Sequence, residues 1–225
     1  MKFITSLHHK RVDRQKYCID SWRKHGNNII AVQAEHEIPI LKPLFDNVQF
    51  EVGSVSYAFS KPTPKITELI KYADEPSLLI NSDISIKDDN LNKWNYEKKV
   101  LKLGIRHDYF PNNKTQKFRQ KYGIDAFLIC PEMQKLLPDL DFCIGCPGWD
   151  FWLPYHLWAF HDYSIVVPDC WMLHELHPLG WTDQDQKSYR ERLKSYGYKL
   201  TPTMLAAFIL DITNRNHLKT VKYLS

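Results

Sequence analysis

The stretch from Lys2 to Gln33 constrains the fold most. Lys2 to Leu7 (KFITSL) and Asn28 to Gln33 (NIIAVQ) are short apolar runs of the kind that form buried strands. Between them, Arg11 to His25 carries Val12, Tyr17, Ile19 and Trp22 at helical spacing, and Gly26 and Asn27 supply its end. A strand, a helix and a strand in so short a span predict a βαβ unit, and therefore a parallel sheet.

The rest of the chain continues that alternation. Strands are expected at Val48–Val52, Ser77–Ile80, Val100–Ile105, Gly123–Cys130 and Tyr163–Val167. Helices are expected at Thr63–Tyr72, opened by Pro64, from Pro131 to Pro138, and after Gly148, where Pro154 interrupts the run. Lys87 to Lys99 reads as a polar helix or loop, and Phe110 to Tyr122 as a mobile surface loop. Beyond Trp181 the period becomes helical, at Gln184–Tyr196 and Thr201–Thr213. The reading is an α/β fold, Rossmann-like, with a mostly parallel central sheet flanked by helices and a C-terminal helical extension. Residues 1–182 are expected to form the binding and catalytic domain, with residues 183–225 packed on it as the extension.

Composition narrows the class. At 225 residues and 44% hydrophobic, the chain can bury a substantial core. No run approaches the roughly 18 apolar residues of a membrane span, no basic-then-apolar leader opens the chain, and five cysteines make no disulfide framework. A cytoplasmic protein without stable membrane insertion is expected; its oligomeric state is left open. The net charge of +4 is uneven, because from Gln186 onward eight cations face only Glu191 and Asp211. Such a basic face meets phosphates, nucleic acid or an anionic membrane surface, or is simply solvated.

Three places carry possible chemistry. Asp83 follows the buried run Ser77–Ile80, at the carboxyl end of a strand, where open α/β sheets bind ligands; it is a candidate metal ligand or a turn residue. His174 and His177, in H-E-L-H, are candidate ligands or structural histidines. The stretch Asp141–Pro154 (DFCIGCPGWDFWLP) runs Gly145, Pro147 and Gly148 into an aromatic helix start that carries Asp150. A loop so rich in glycine and proline suits a close backbone approach, and Asp150 is a candidate general base or a residue matched to the helix dipole. Cys143-x-x-Cys146 with Cys170 and His174 is a weak match to a structural zinc site.

In this order, the βαβ start, Asn81-Ser82-Asp83, Gly145 to Asp150 and a late histidine resemble the nucleotide-sugar-dependent glycosyltransferases of the GT-A fold, over roughly Met1 to Pro178. The resemblance implies transfer of a hexosyl or pentosyl group from a nucleotide-diphosphate sugar to a hydroxyl acceptor, either a glycan or a modified nucleic-acid base. It implies Mn²⁺ or Mg²⁺ on Asp83 with His174 or His177, and Asp150 as the base. It places Thr5, Ser6, Arg11, Gln33, Lys61, Lys65, Ser82 and Arg106 toward the donor, and Gly145, Gly148, Trp149 and Trp152 toward the acceptor. Asn81 stands where the family's first acidic ligand would be, and Trp149 where an acid often precedes the catalytic one. Two other readings remain, a nucleotidyltransferase on a related sheet and a non-catalytic carbohydrate- or nucleotide-binding protein.

Overall fold

In the computed structural model, which describes residues 1–87, 91, 93–168, 170, 172–178, 180–199 and 201–214, the βαβ unit opens the chain. β1 (Lys2–Thr5) and β2 (Asn28–Gln33) run parallel, with Phe3 opposite Ile29, and α1 (Val12–Arg23) crosses between them. β1 is buried throughout and β2 from Ile29 onward, as befits strands covered on both faces. α1 turns Gln15, Cys18, Ile19 and Trp22 inward at spacings of three and four. Trp22 stacks on Phe3, ring centroids 5.7 Å apart, and donates its indole N–H to the Ile84 carbonyl at 2.8 Å. One side chain thus fastens the helix to two distant parts of the sheet.

A short helix, α2 (Ile38–Leu41), precedes β3 (Gln49–Val52), and a two-stranded ribbon of β4 (Val55–Ser56) and β5 (Thr63–Pro64) leads into α3 (Ile66–Ile70). Then come β6 (Ser77–Ile80), β7 (Ile84–Ile86), β8 (Val100–Phe110) and β9 (Asn113–Ile129). After them stand α4 (Trp149–His161), β10 (Ser164–Val166), β11 (Met172–Glu175), α5 (Asp183–Ser195) and α6 (Pro202–Asn214). The main sheet has the order β3-β2-β1-β6-β9-β8-β11-β7, with β10 beside the start of β8. Its pairings are mostly parallel; the exceptions are β6 with β9, β8 with β9, and β11 with β7. This is the expected Rossmann-like α/β architecture.

The core has one part on each face of the sheet. Under α1 lie Phe3, Ile29, Leu78 and Trp22. On the opposite face, Ile4, Leu79 and Phe127 meet Trp149 and Leu153 of α4, Leu193 of α5 and Ile209 of α6.

Two segments depart from the sequence reading. Phe110 to Tyr122 is not a loop: β8 and β9 form a long antiparallel hairpin that pairs His107 with Arg119, Tyr109 with Lys117 and Phe110 with Asn113. A backbone ladder holds it, and its sequence shows no alternation of apolar and polar residues, so side-chain polarity alone does not reveal the strands. Ile84–Ile86 is a strand as well, too short to show a period, and it pairs with β11 as an antiparallel edge. Part of Lys87–Lys99 lies outside the described residues; of the remainder, Leu91 and Trp94 are buried. The tail cations Arg215, Lys219 and Lys222 also lie outside them.

Candidate active site

Strand pairing brings the acidic turn and the late histidines together. β6 ends at Ile80, and Asn81-Ser82-Asp83 turns the chain into β7. β11 lies between β7 and β8, so His174 stands opposite Ile84 on one side and Asp108 on the other. The Asp83 carboxylate therefore lies 3.4 Å from His174 Nε2 and 3.1 Å from His177 Nε2, and the two Nε2 atoms are 3.3 Å apart. The strand carries His174, and the backbone just beyond it returns His177 to the same point.

Both rings are oriented from behind. His174 Nδ1 donates to Asp108 Oδ1 at 2.9 Å, and His177 Nδ1 donates to the Pro178 carbonyl at 2.7 Å. Once neutral, each imidazole so held would present its Nε2 lone pair toward an ion, and a carboxylate behind a ligating histidine is the usual device for fixing that tautomer. Asp83, His174 and His177 are the one group of three potential ligands of this kind among the described residues, their ligand atoms within 4.8 Å of one another. Two imidazoles and one carboxylate suit a first-row divalent ion better than Mg²⁺, which prefers oxygen throughout. Without a metal, the histidines hold the Asp83 carboxyl far below its ordinary range, against the effect of burial. Burial would lower the His174 pKa, but Asp108 and Asp83 outweigh it and raise it to about 9.

Arg14, on α1, braces this centre. Its guanidinium donates to the Tyr109 hydroxyl at 2.8 Å, the Asp83 carbonyl at 3.2 Å and the Leu173 carbonyl at 3.3 Å. Backbone on both sides of the ligand cluster is thereby tied to one helix.

Asp150 faces the same cleft, a cavity of about 700 Å³. It lies in the first turn of α4, and Pro154 lacks the N–H that would otherwise bond the Asp150 carbonyl four residues back. Burial, followed by the nearby Asp125 charge, raises its carboxyl pKa well above the ordinary value, while Arg106 and the backbone amides of the helix start act in the opposite direction. Gly148 makes the turn possible: at φ 86° it is left-handed, and a Cβ there would come within 2.1 Å of the Tyr189 ring. Gly145, at φ 71°, has open space where its Cβ would be.

Several expected residues meet at this cleft. Ser6, Ser82, Arg106, Gly145, Gly148 and Trp149 line it together with Asp83, Asp150, His174 and His177. Arg106 is already engaged, 3.1 Å from Asp108 and 3.0 Å from Asp125. Others stand behind or away from the wall. Gln33 is buried, bonding Ser6 at 3.2 Å and the Leu7 carbonyl at 2.9 Å, so it shapes the loop after β1. Thr5 is buried beneath that loop, and Arg11 is exposed at the start of α1 with φ 55°. Lys65 pairs with Asp139 at 3.2 Å and Asp141 at 3.5 Å. Trp152 is core: 1% exposed, stacked on Phe142 at 4.6 Å, its N–H on the Tyr198 hydroxyl. All five cysteines are buried free thiols.

Other functional residues were not anticipated. Asp108 and Asp125 lie at strand positions whose roles depend on cross-strand neighbours. His8 lines the cleft beside Lys61, which the resemblance had already placed toward the phosphates, and burial, with Lys61 nearby, lowers the His8 pKa to about 4. Buried Gln15 fixes the His8 loop through the His8 and Lys10 carbonyls, each at 2.7 Å. Asp185 caps α5 by accepting from Thr182 N at 2.7 Å, and it also accepts from Ser60 N at 2.6 Å, which joins α5 to the segment bearing Lys61. Tyr189, Gln186 and Ala206 bring α5 and α6 into the cleft wall, a contribution the helical periodicity alone did not disclose.

No protein-family model and no curated protein sequence matches the chain. Among solved structures it is similar to one described as a glucose-1-phosphate thymidylyltransferase from Bacillus anthracis in complex with a sucrose. The identity is 9% and the TM-score 0.40, over 92% of this chain and 99% of that one.

Proposed function

We propose that the chain is a metal-assisted glycosyltransferase that moves a sugar from a nucleotide-diphosphate sugar to a hydroxyl acceptor. One observation carries the reading: the Asp83, His174 and His177 ligand atoms converge in the same cleft as Asp150, a carboxyl group whose pKa is raised. Neither half suffices alone. An ion site with no base would suit binding, and a base with no charge-neutralising centre would leave the diphosphate a poor leaving group.

Asp83, His174 and His177 would hold the ion, and Mn²⁺ fits this donor set better than Mg²⁺. When bound, it would stabilise negative charge developing on the diphosphate. The loop from Ser6 to His8, held by Gln33 and Gln15, forms the donor side with Lys61. Asp150 accepts the acceptor hydroxyl proton as the new bond from that oxygen to the anomeric carbon forms. The bond from that carbon to the phosphate oxygen breaks, and its electron pair leaves with the nucleoside diphosphate. A carboxylate with a raised pKa is a stronger base for this step than an ordinary one.

The nucleotidyltransferase alternative uses the same sheet and the same kind of metal, and the name of the similar solved structure belongs to that class. Ser6-Leu7-His8-His9-Lys10-Arg11, after β1, has no glycine with which to wrap a triphosphate, and this favours glycosyl transfer. Product analysis separates the two. With a panel of nucleotide sugars and Mn²⁺, glycosyl transfer or slow hydrolysis releases nucleoside diphosphate. Pyrophosphate release from a nucleoside triphosphate and a sugar phosphate would replace this reading with the alternative.

A further inference from the structure

α5 turns one face inward, carrying Asp185, Tyr189 and Leu193. Leu193 is core, and the Asp185 carboxylate is satisfied by Ser60 and by Thr182 at the helix start. Tyr189 differs from both. It is 3% exposed, and its hydroxyl is buried without a hydrogen-bond partner among the described residues. Such a group is costly, because it has given up water and received nothing in exchange. A phenylalanine ring would fill the same space without that loss.

The unpaired hydroxyl belongs to the cleft. Of the two buried hydroxyls without a partner among the described residues, on Thr5 and Tyr189, only the second is on a residue that lines it. The ring packs edge to face on Phe142, centroids 6.3 Å apart. Its hydroxyl-bearing edge, Cε2 and Cζ, lies against Gly148, so the hydroxyl stands at the start of α4, beside the turn that carries Asp150. Burial first, and then the Asp150 charge, raise the phenol above its ordinary range, so it stays protonated and can donate.

The rest of this wall is neutral. Every described residue that lines the cleft from Gly180 onward is uncharged, among them Trp181, Gln186 and Thr203. Trp181 is half-buried rather than core, and it immediately precedes the capping box that starts α5, which fixes its place beside that helix. A flat indole, an amide and a phenol hydroxyl suit a saccharide, whose ring has an apolar face and a rim of hydroxyls. A nucleic-acid acceptor would bring phosphates, and this wall has no cation to meet them.

We propose that α5 and α6 form a saccharide subsite, in which the Tyr189 hydroxyl donates to a ring hydroxyl next to the one that Asp150 deprotonates, with Trp181 under the apolar face of the ring. The acceptor role rests on the transferase reading; the saccharide binding does not.

The test is a saturation-transfer NMR titration of the full chain with a panel of methyl hexopyranosides and their monodeoxy analogues, without donor or metal. Wild type should bind at least one glycoside. Tyr189→Phe should weaken that binding about tenfold, and its melting temperature should be unchanged or higher, because the unpaired hydroxyl is gone. Trp181→Ala should also weaken binding about tenfold. One deoxy analogue, lacking the hydroxyl that meets Tyr189, should bind wild type about tenfold more weakly than its parent, while Tyr189→Phe should not distinguish the two. A purely structural tyrosine would not produce that equality. No binding by any glycoside, or Tyr189→Phe binding and discriminating as wild type does, overturns the proposal. A lower melting temperature in Tyr189→Phe overturns it too, because the hydroxyl would then already have a partner. Binding of a hydroxymethylated pyrimidine nucleoside in place of the glycosides, with the same dependence on Tyr189, overturns it in favour of a base. Incubation with nucleotide sugars and Mn²⁺ separates the two readings. Glycoside binding that depends on Tyr189, with no sugar transferred and no nucleoside diphosphate released, removes only the transferase; transfer indifferent to Tyr189→Phe removes only the subsite.

Discussion

The Asn81 side-chain amide donates to the Asp125 carboxylate, and the Asn81 backbone N–H bonds the Asp125 carbonyl at 3.0 Å. Asn81 occupies the place where a first acidic ligand is expected, yet its side chain is committed to the acid that pairs with Arg106 at 3.0 Å. Arg106 in turn meets Asp108, which holds His174. The apparent gap in the acidic motif is therefore the start of a charge network that ends at the proposed metal ligands.

Asn81→Asp should not tighten metal binding. It would set two carboxylates against each other where an amide now donates, and buried like charges destabilise. We expect a loss of about 1–3 kcal/mol in chemical unfolding and unchanged or weaker Mn²⁺ affinity by calorimetry. A tighter Mn²⁺ site would show that Asn81 merely lacks a charge.

Asp108→Asn should leave the chain folded while Mn²⁺ affinity falls about 10- to 100-fold, the usual effect of removing a carboxylate behind a ligating histidine. Asp108 is 1% exposed and reaches no solvent, so a large change in metal binding would act through His174. Calorimetry with Mn²⁺ measures it; equal affinities would remove the brace.

Mn²⁺ binding should release protons and strengthen with pH. His174, raised to about 9, is protonated near neutrality in the metal-free protein and must lose that proton to bind an ion. The sign for stability is the opposite. A raised histidine stabilises the metal-free fold fully below its unfolded pKa, about 6.5, and that contribution fades as pH rises through about 9. Titration in buffers of different ionisation enthalpy gives the proton count; a pH-independent affinity would contradict this assignment.

Gly148→Ala should destabilise more than Gly145→Ala. Both positions are left-handed, at φ 86° and 71°, but only at Gly148 would a Cβ strike the Tyr189 ring. About 1–2 kcal/mol is expected at Gly145 from backbone strain alone. At Gly148, overpacking adds about 1–3 kcal/mol more. Thermal unfolding would rank them, and equal losses would mean that Tyr189 yields freely.

The sheet was legible in the sequence because its inner strands are continuous apolar runs: Phe3, Ile4, Leu78 and Leu79 are all fully buried. Asp83 and Asp150 stood out because each follows a strong local signal, a strand end or a glycine turn. What stayed hidden depends on partners distant in sequence. Nothing local marks Asp125 as the mate of Asn81, or Asp108 as the brace of His174, since the strand register makes those pairs. The hairpin was hidden for a different reason: its stability lies in backbone bonds, while its side chains read as a loop. Trp152 shows the reverse error, an aromatic in a suggestive motif that the fold uses for packing against Phe142.

The most direct measurement is chromatographic analysis of the products formed from nucleotide sugars incubated with the protein and Mn²⁺, alongside Asp83→Asn and Asp150→Asn. The account predicts nucleoside diphosphate release that requires Mn²⁺. Asp150→Asn should lower it about 10²- to 10⁴-fold with donor binding intact, and Asp83→Asn should abolish its Mn²⁺ dependence. Full activity in Asp150→Asn would contradict it, as would inert nucleotide sugars together with pyrophosphate release from a nucleoside triphosphate and a sugar phosphate.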